Sequence, residues 1–416
     1  MHYLELQDNK IKILTFVGYY LPGYKSGGPL RTIVNMVEQL SNDIEFWIVT
    51  SDRDLGDSST YDDVKVDEWQ RIGKAQVFYL SPEKRSFFFL RDLIASTPHD
   101  ILYLNSFFDL EFSIKPQLAQ RLLNKLTRKP VIVAPRGEFS PGALALKKTK
   151  KSIYIATSKW IGLYDKVTFQ ASSDYEAKDI IRVLGVTPGC IKVAIDMPEK
   201  ASGHPSCGLP YSSSSAGALK IIFLSRISSK KNLDFALRIL EGIARNIVFD
   251  IYGPIEDSNY WAECQGLISK LPSNISVKYC GIVMPSEVKK TFSKYDLFLF
   301  PTRGENYGHV IAEALSAGTP VLISDQTPWR NLDSDGFGWD ISLNIPNAFE
   351  EKIEQLADQD PQIRHDQRSV VQERALQRLL DPGIVEENIE LFYSQLKDRD
   401  YVPSTSYNSR KQGRLL

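Results

Sequence analysis

The sequence predicts an α/β protein built from two doubly wound domains, each a parallel sheet with helices on both faces. Three observations carry this expectation. Short, almost wholly apolar runs alternate with helical stretches, as strands buried on both faces of a parallel sheet require. The alternation is interrupted once, over Pro198–Gly217, by a segment rich in serine and glycine. It then resumes at Leu219 as a second series of the same kind. A chain of 416 residues has room for two or three domains at about 100–200 residues each.

The first series opens with a strand at Ile11–Val17, a Gly/Pro-rich loop and a helix at Leu30–Leu40. Strands follow at Phe46–Thr50, Ala75–Tyr79, Ile101–Leu104 and Val131–Ala134, the last two being short apolar runs. A strand at Val167–Gln170 leads into a helix at Asp174–Leu184, and Ile191–Ala194 closes the series. The interruption contains Tyr211-Ser-Ser-Ser-Ser215 and reads as a linker or hinge-proximal loop. In the second series a strand at Leu219–Leu224 is followed by a basic loop and a helix at Asn232–Ala244. The strand Val248–Tyr252 stops at Gly253-Pro254, a strand-to-turn signal, and a helix at Tyr260–Leu271 follows. Strands at Ile275–Tyr279, Leu297–Phe300 and Val321–Ser324 complete the sheet, with a helix at Glu287–Tyr295 between the first two. An amphipathic helix near Asp381–Leu396 precedes a Ser-rich, basic tail expected to be disordered. The resulting division is 1–197, a linker over 198–218, 219–380, a C-terminal helix within 381–400, and a tail over 401–416.

Composition narrows the function classes. Fifty basic residues against fifty-one acidic ones give a net charge of −1, without the basic footprint of a nucleic-acid-binding chain. The four cysteines, Cys190, Cys207, Cys264 and Cys280, form no CxxC pair, which argues against a thiolate zinc site and for a reducing compartment. Met1–Lys10 carries acids and no apolar core, unlike a secretory signal, and no apolar run reaches the ~18 residues of a membrane span. A cytoplasmic protein is expected, with any membrane contact peripheral.

The chemistry concentrates in the second series. Glu305 and Glu313 bracket Glu305-Asn-Tyr-Gly-His-Val-Ile-Ala-Glu313. The first should lie in the loop at a strand's carboxyl edge, and the second about two turns into the next helix. Ligands of open α/β sheets bind at that edge, and carboxylates there can accept hydrogen bonds from the hydroxyls of a ribose or a hexose. Upstream, Arg226-Ile-Ser-Ser-Lys-Lys231 joins a strand to a helix. Arg226 and Lys231 can aim at one anion beside the free N–H groups of the helix, an arrangement suited to a diphosphate. Taken singly, each feature also reads as an ordinary solvated loop or helix face.

In order along the chain, Arg226…Lys231-Asn232, Gly253 after a strand, Glu305-Asn-Tyr-Gly308, Glu313-Ala314 and Gly318-Thr-Pro-Val321 resemble glycosyltransferase family 4. The likeness is strongest over 219–330 and weaker over Tyr19–Gly28 and Ala134–Glu138. It implies a GT-B fold, with two Rossmann-like domains facing across a cleft, and a retaining, nucleotide-sugar-dependent transferase. It also implies residue roles. Arg226 and Lys231 would hold the donor diphosphate, Glu313 the ribose hydroxyls, and Glu305 the transferred sugar. The backbone of Asn306, Tyr307 and Gly308 would lie against sugar or phosphate. The C-terminal helix would pack back on the N-terminal domain.

Other residues take their expected roles from this frame. Gly27 and Gly28, before Pro29, let backbone approach a ligand at a helix start; Arg31, one turn on, is a weaker candidate for phosphate or acceptor contact. Arg136, in Ala134-Pro-Arg-Gly-Glu138, stands about where many relatives carry histidine. It can stabilise negative charge but cannot serve as a base, and an ion pair with Glu138 or another acid accounts for it equally well. His309 could donate to sugar or phosphate, or simply pack at the helix start. No metal is expected, since Asp-X-Asp recurs at Asp52, Asp333, Asp358 and Asp398 and so carries little information. Lys147, Lys148, Lys150 and Lys151, with Tyr154, Lys159, Trp160 and Tyr164 following, could dock an anionic membrane or a polyprenyl diphosphate, or form a solvated helix face. The expected partners are a nucleotide sugar donor and a sugar or polyprenyl-diphosphate-linked glycan acceptor. Peripheral contact with the inner membrane is a further expectation, and nucleic acid is not. A glycoside hydrolase, which also uses two carboxylates, and a non-catalytic nucleotide- or sugar-binding protein are the alternatives.

Overall fold

The computed structural model describes residues 10–124, 128–145, 147–200 and 217–396. Most of the expected linker and the whole tail over 401–416 therefore lie outside the described residues.

Two sheets organise the chain. The first contains β1 (Ile11–Phe16), β2 (Ile44–Ser51), β3 (Trp69–Ile72), β4 (Ala75–Leu80), β5 (Ile101–Leu104), β6 (Val131–Val133), β7 (Thr168–Ala171) and β8 (Ile191–Val193), in the order β3-β4-β2-β1-β5-β6-β7-β8. The second contains β9 (Leu219–Leu224), β10 (Ile247–Tyr252), β11 (Ile275–Tyr279), β12 (Leu297–Phe300), β13 (Val321–Ser324) and β14 (Gly338–Ile341), in the order β11-β10-β9-β12-β13-β14. Every pairing is parallel except β3 against β4. The apolar runs behave as buried parallel strands should: β5, β12 and β13 are buried at every residue.

Strand order positions the site. In the second sheet, β9 to β11 run outward in one direction and β12 to β14 in the other, so the order reverses between β9 and β12. In the first sheet it reverses between β1 and β5. Crevices open at the carboxyl ends of strands at such switch points. Three helices set the rest: α1 (Gly28–Leu40) after β1, α2 (Lys148–Trp160) between β6 and β7, and α3 (His309–Ser316) after β12.

The last helix, α4 (Pro382–Tyr393), buries Ile384, Ile389, Leu391 and Phe392 in the core of the first sheet, not the second. The Phe392 ring meets Tyr103 edge-on at 5.3 Å and Phe46 at 6.4 Å, and Asn388 donates to the Ile195 carbonyl at 2.8 Å. The edge strands β3 and β14, and a helix at Pro361–Leu379, were not anticipated from the sequence. One expectation is corrected in detail. Gly308, at φ 81°, caps α3, so Glu313 is the fifth helical residue and sits just over one turn in rather than two.

Candidate functional site

Between the carboxyl edges of the two sheets lies a cavity of about 370 Å³. Twelve of the residues singled out above line it: Gly27, Gly28 and Arg136 from the first wall, and Arg226, Lys231, Gly253, Glu305, Asn306, Tyr307, Gly308, His309 and Glu313 from the second. Arg31, Asp196 and Lys230 line it too.

The second wall is built from the loops after β9 and β12. Asn232 ties them together, its Nδ2 donating to the Pro301 carbonyl at 2.8 Å. The Lys230 carbonyl accepts from Arg303 N at 2.9 Å and lies 3.3 Å from Thr302 Oγ1. Across this junction Lys231 Nζ meets Glu305 Oε1 at 2.5 Å, with Thr302 Oγ1 donating to the same oxygen at 3.1 Å. Burial pushes the Glu305 carboxyl up, but Lys231 and Lys230 outweigh burial and hold it below the usual range, so Glu305 is ionised. The Glu305 N–H donates to Gln326 O at 3.1 Å, and Trp329 Nε1 donates to Tyr307 O at 2.6 Å, which fixes the loop on both sides of Asn306. Gly253, at φ 132°, lies so close to the Ser225 carbonyl that any side chain would collide with it. Arg226, more exposed, pairs with Glu256 at 3.1 Å.

The first wall is different. The Arg136 guanidinium donates to Asp196, to Tyr103 Oη at 2.5 Å and to Asn105 Oδ1 at 2.7 Å. The acid beside Arg136 is therefore Asp196. Glu138 instead accepts from Ser106 Oγ at 2.8 Å and from the Phe107 N–H at 2.6 Å. Gly27, at φ 82°, precedes α1 with nothing within 4 Å of where a side chain would start, and Gly27, Gly28 and Pro29 place the start of the helix on the cavity.

Several contacts join the walls, three of them through candidate site residues and their neighbours on α1 and just after β8. Arg31 Nη1 meets Glu313 Oε1 at 2.5 Å, with the Arg31 side chain 26% exposed and that of Glu313 12%. Thr32 Oγ1 and His309 Nε2 are 2.8 Å apart. Asn306 Nδ2 donates to Asp196 Oδ2 at 3.3 Å. Burial, then Arg31 and Arg136, push His309 down to about 3, so its imidazole is neutral. Burial also raises the Glu313 carboxyl, with Arg31 opposing.

Among the described residues no group of three or more His, Cys, Asp or Glu side chains could hold a metal ion. The Asp-X-Asp stretches serve ion pairs instead: Asp52 with Arg53 at 2.9 Å, Asp335 with Arg378 at 2.9 Å, and Asp358 with Arg245 at 2.6 Å. The fourth, at Asp398, lies outside the described residues.

The basic run on α2 divides. Lys148 and Lys150 are exposed, as is Lys147 just before the helix, and Ile153 and Trp160 stand out at 62% and 86% exposure. Lys151 turns inward, donating to Ala143 O at 2.7 Å over the Phe108 ring. The Tyr154 and Tyr164 hydroxyls hydrogen-bond to each other, 2.6 Å apart. The outward face is thus Lys147, Lys148 and Lys150 with Ile153 and Trp160. No helix among the described residues is long and apolar enough to cross a membrane.

Sequence reasoning missed Asp196 and Lys230. Lys230 stood inside a motif already singled out, overshadowed by Lys231. Asp196 follows the short edge strand β8 and has no motif around it.

Comparison with known proteins supplies the context. Residues 212–375 match the family model for glycosyl transferases, group 1. The chain is 25% identical, over 251 residues, to an uncharacterized 41.2 kDa protein in the cps region of Klebsiella pneumoniae; the match covers 57% of this chain and 63% of that protein, under two thirds of its length. Among solved structures, Anabaena HepE in complex with UDP-glucose superposes with a TM-score of 0.63 at 15% identity, covering 92% of this chain and 99% of that one. WaaG, a glycosyltransferase involved in lipopolysaccharide biosynthesis, superposes with a TM-score of 0.63 at 14% identity, covering 92% and 99%.

Proposed function

We propose that this protein, a GT-B-fold chain with a glycosyltransferase group 1 domain over residues 212–375, is a retaining transferase. It moves a hexose or N-acetylhexosamine from a nucleotide diphosphate sugar to an acceptor hydroxyl, in surface polysaccharide or glycolipid assembly. The observation that carries this reading is the second wall, where one switch-point crevice gathers Arg226, Lys231, Glu305 and Glu313 around a single cavity. Arg226 and Lys231 take the diphosphate, Glu313 the ribose hydroxyls and Glu305 the sugar. Gly253 and Asn306–Gly308 offer backbone at close range, and the N-terminus of α1, at Gly27 and Gly28, faces the phosphates from the first wall. The UDP-glucose complex of HepE makes uracil the first base to test.

Chemistry follows from this placement. The C1–O bond to the β-phosphate breaks and its electron pair stays on the phosphate oxygen. The acceptor oxygen bonds C1 on the same face, and its proton passes to that phosphate oxygen. Lys231 and Arg226 stabilise the charge that develops there. Arg136, caged as it is, orients the first wall and faces the donor only through the cavity. No metal cofactor is assigned. The three cavity carboxylates, Glu305, Glu313 and Asp196, are all ion-paired, which suits binding better than the free acid and nucleophile of a hydrolase. For the ribose to reach Glu313, Arg31 must leave it.

Thermal unfolding against UDP, GDP and ADP sugars tests the reading. The correct donor should stabilise the protein by ~2.7 kcal/mol at a hundred times Kd, and Lys231→Ala should remove the effect. No shift with any of them overturns it. The acceptor is proposed to be a sugar or a polyprenyl-diphosphate-linked glycan, met at the cytoplasmic face of the inner membrane. Lys147, Lys148 and Lys150 supply attraction of ~1 kcal/mol each near an anionic surface, and Ile153 and Trp160 supply apolar contact. Co-sedimentation with anionic vesicles should fall sharply when the three lysines become Glu; equal binding by both proteins counts against docking.

A further inference from the structure

Six basic side chains line the cavity: Lys25, Arg31, Arg136, Arg226, Lys230 and Lys231. Five are already matched. Lys25 pairs with Asp57 at 2.6 Å, Arg31 with Glu313 at 2.5 Å, Arg226 with Glu256 at 3.1 Å, Lys231 with Glu305 at 2.5 Å, and Arg136 with Asp196. The Lys230 ammonium has neither an ion pair nor a hydrogen bond among the described residues.

That lysine is held in place. It occupies the turn Ser229–Lys231, and its carbonyl is tied to Thr302 and Arg303. Its stem runs beside Gly304, at a point where a Cβ would stand 3.9 Å from both Lys230 Cε and Ser140 Oγ of the facing wall. Burial lowers its pKa below that of an ordinary lysine; Glu305 opposes this, and Lys231, Arg226 and Lys151 add to it. Half-buried at the cavity wall and without a hydrogen-bonded partner among the described residues, the ammonium is left to meet an anion that enters.

We propose that Lys230 is a further catalytic residue, one that contacts the donor diphosphate and supplies the charge that Arg226 and Lys231, each offset by its own carboxylate, cannot supply alone. This rests on the donor site described above. A paired cation presents a dipole whose field falls off quickly, whereas Lys230, which feels Glu305 only through space, keeps more of its charge for the phosphate. When the C1–O bond breaks, the electron pair left on the phosphate oxygen meets a cation that has no other partner to release.

The test uses the full chain with inorganic pyrophosphate as the probe, which removes any dependence on base or sugar. A charge-assisted hydrogen bond is worth ~1.5–3 kcal/mol, so Lys230→Met should weaken pyrophosphate binding, read by calorimetry, by about ten- to a hundredfold. Lys230→Arg should restore most of it. The ligand-free Lys230→Met protein should melt at the same temperature or higher, because an uncompensated charge has gone; a merely structural lysine would lower it. If Lys230→Met binds pyrophosphate within twofold of the parent while Lys231→Met does not, the donor site stands and Lys230 is no part of it. If the parent binds no pyrophosphate at millimolar concentration, the donor-site reading itself falls.

Discussion

On the first wall of the cleft, Arg136 is enclosed by Asp196, Tyr103 and Asn105, and Asp196 in turn accepts from Asn306 across the cavity. On the second wall, Lys231 shares Glu305 with Thr302, and Lys230 beside it has no acid of its own. Both walls expose charge to one cavity, yet they use it in opposite ways. The first commits its guanidinium to a fixed cage, so its charge maintains the wall. The second leaves cationic capacity for a ligand, so its charge is held in an unrelaxed state until the ligand binds. Residue type alone would not separate them, because the distinction lies in how many partners each cation already has.

The contrast can be broken most directly at Asp196. Asp196→Ala leaves a buried guanidinium short of its partner, and stability should fall by about 3–5 kcal/mol, read from denaturant midpoints. A loss under 1 kcal/mol would mean that the cage is not structural. Lys231→Ala should do the reverse, with kcat/KM falling about 10²–10³-fold while the midpoint moves less than in Asp196→Ala. Activity within twofold of the parent would remove Lys231 from the chemistry.

Arg31 sharpens the comparison, since it belongs to the first wall but sits on Glu313 of the second. Arg31→Met should tighten UDP binding about two- to fivefold, the worth of releasing a partly exposed ion pair. Weaker binding would instead make Arg31 a nucleotide ligand. His309 gives the smallest effect. Because its pKa is held near 3 against an ordinary 6.5, the unfolded chain binds more protons than the native one between those values. The stability of the neutral imidazole is therefore full above pH 6.5 and is lost as pH falls through that window. Tm should drop between pH 7 and pH 5, and less steeply in His309→Asn; equal slopes would show that the histidine is not the titrating group.

Much of this was legible in the sequence. Ile101–Leu104, Leu297–Phe300 and Val321–Ser324 form strands where their apolar runs mark them, and Ile275–Tyr279 forms one where apolar and polar residues alternate. Edge strands Trp69–Ile72 and Gly338–Ile341 are short and half-exposed, and carry no such run. The helix Pro361–Leu379 hides its inward face behind Arg364 and Arg368, which are buried by donating to main-chain carbonyls. The candidate residues converge on one cavity because they come from loops at strand ends, and strand ends are legible. Pairing is not: Arg31 and Glu313 lie 282 positions apart, and Arg136 and Asp196 lie 60 apart. Nothing local in either sequence neighbourhood names the partner.

The return of α4 to the first sheet means that the chain passes between the two halves twice, once after β8 and again just before Pro382. Two bodies joined by one tether can tumble in any direction, while two bodies joined at two points can swing chiefly about the line through them. Any relative movement of the halves is therefore constrained at two points of the chain rather than one. Contacts at Arg31–Glu313, Thr32–His309 and Asn306–Asp196 bridge the same two halves, so a ligand that rearranges any of them acts on how those halves are held together.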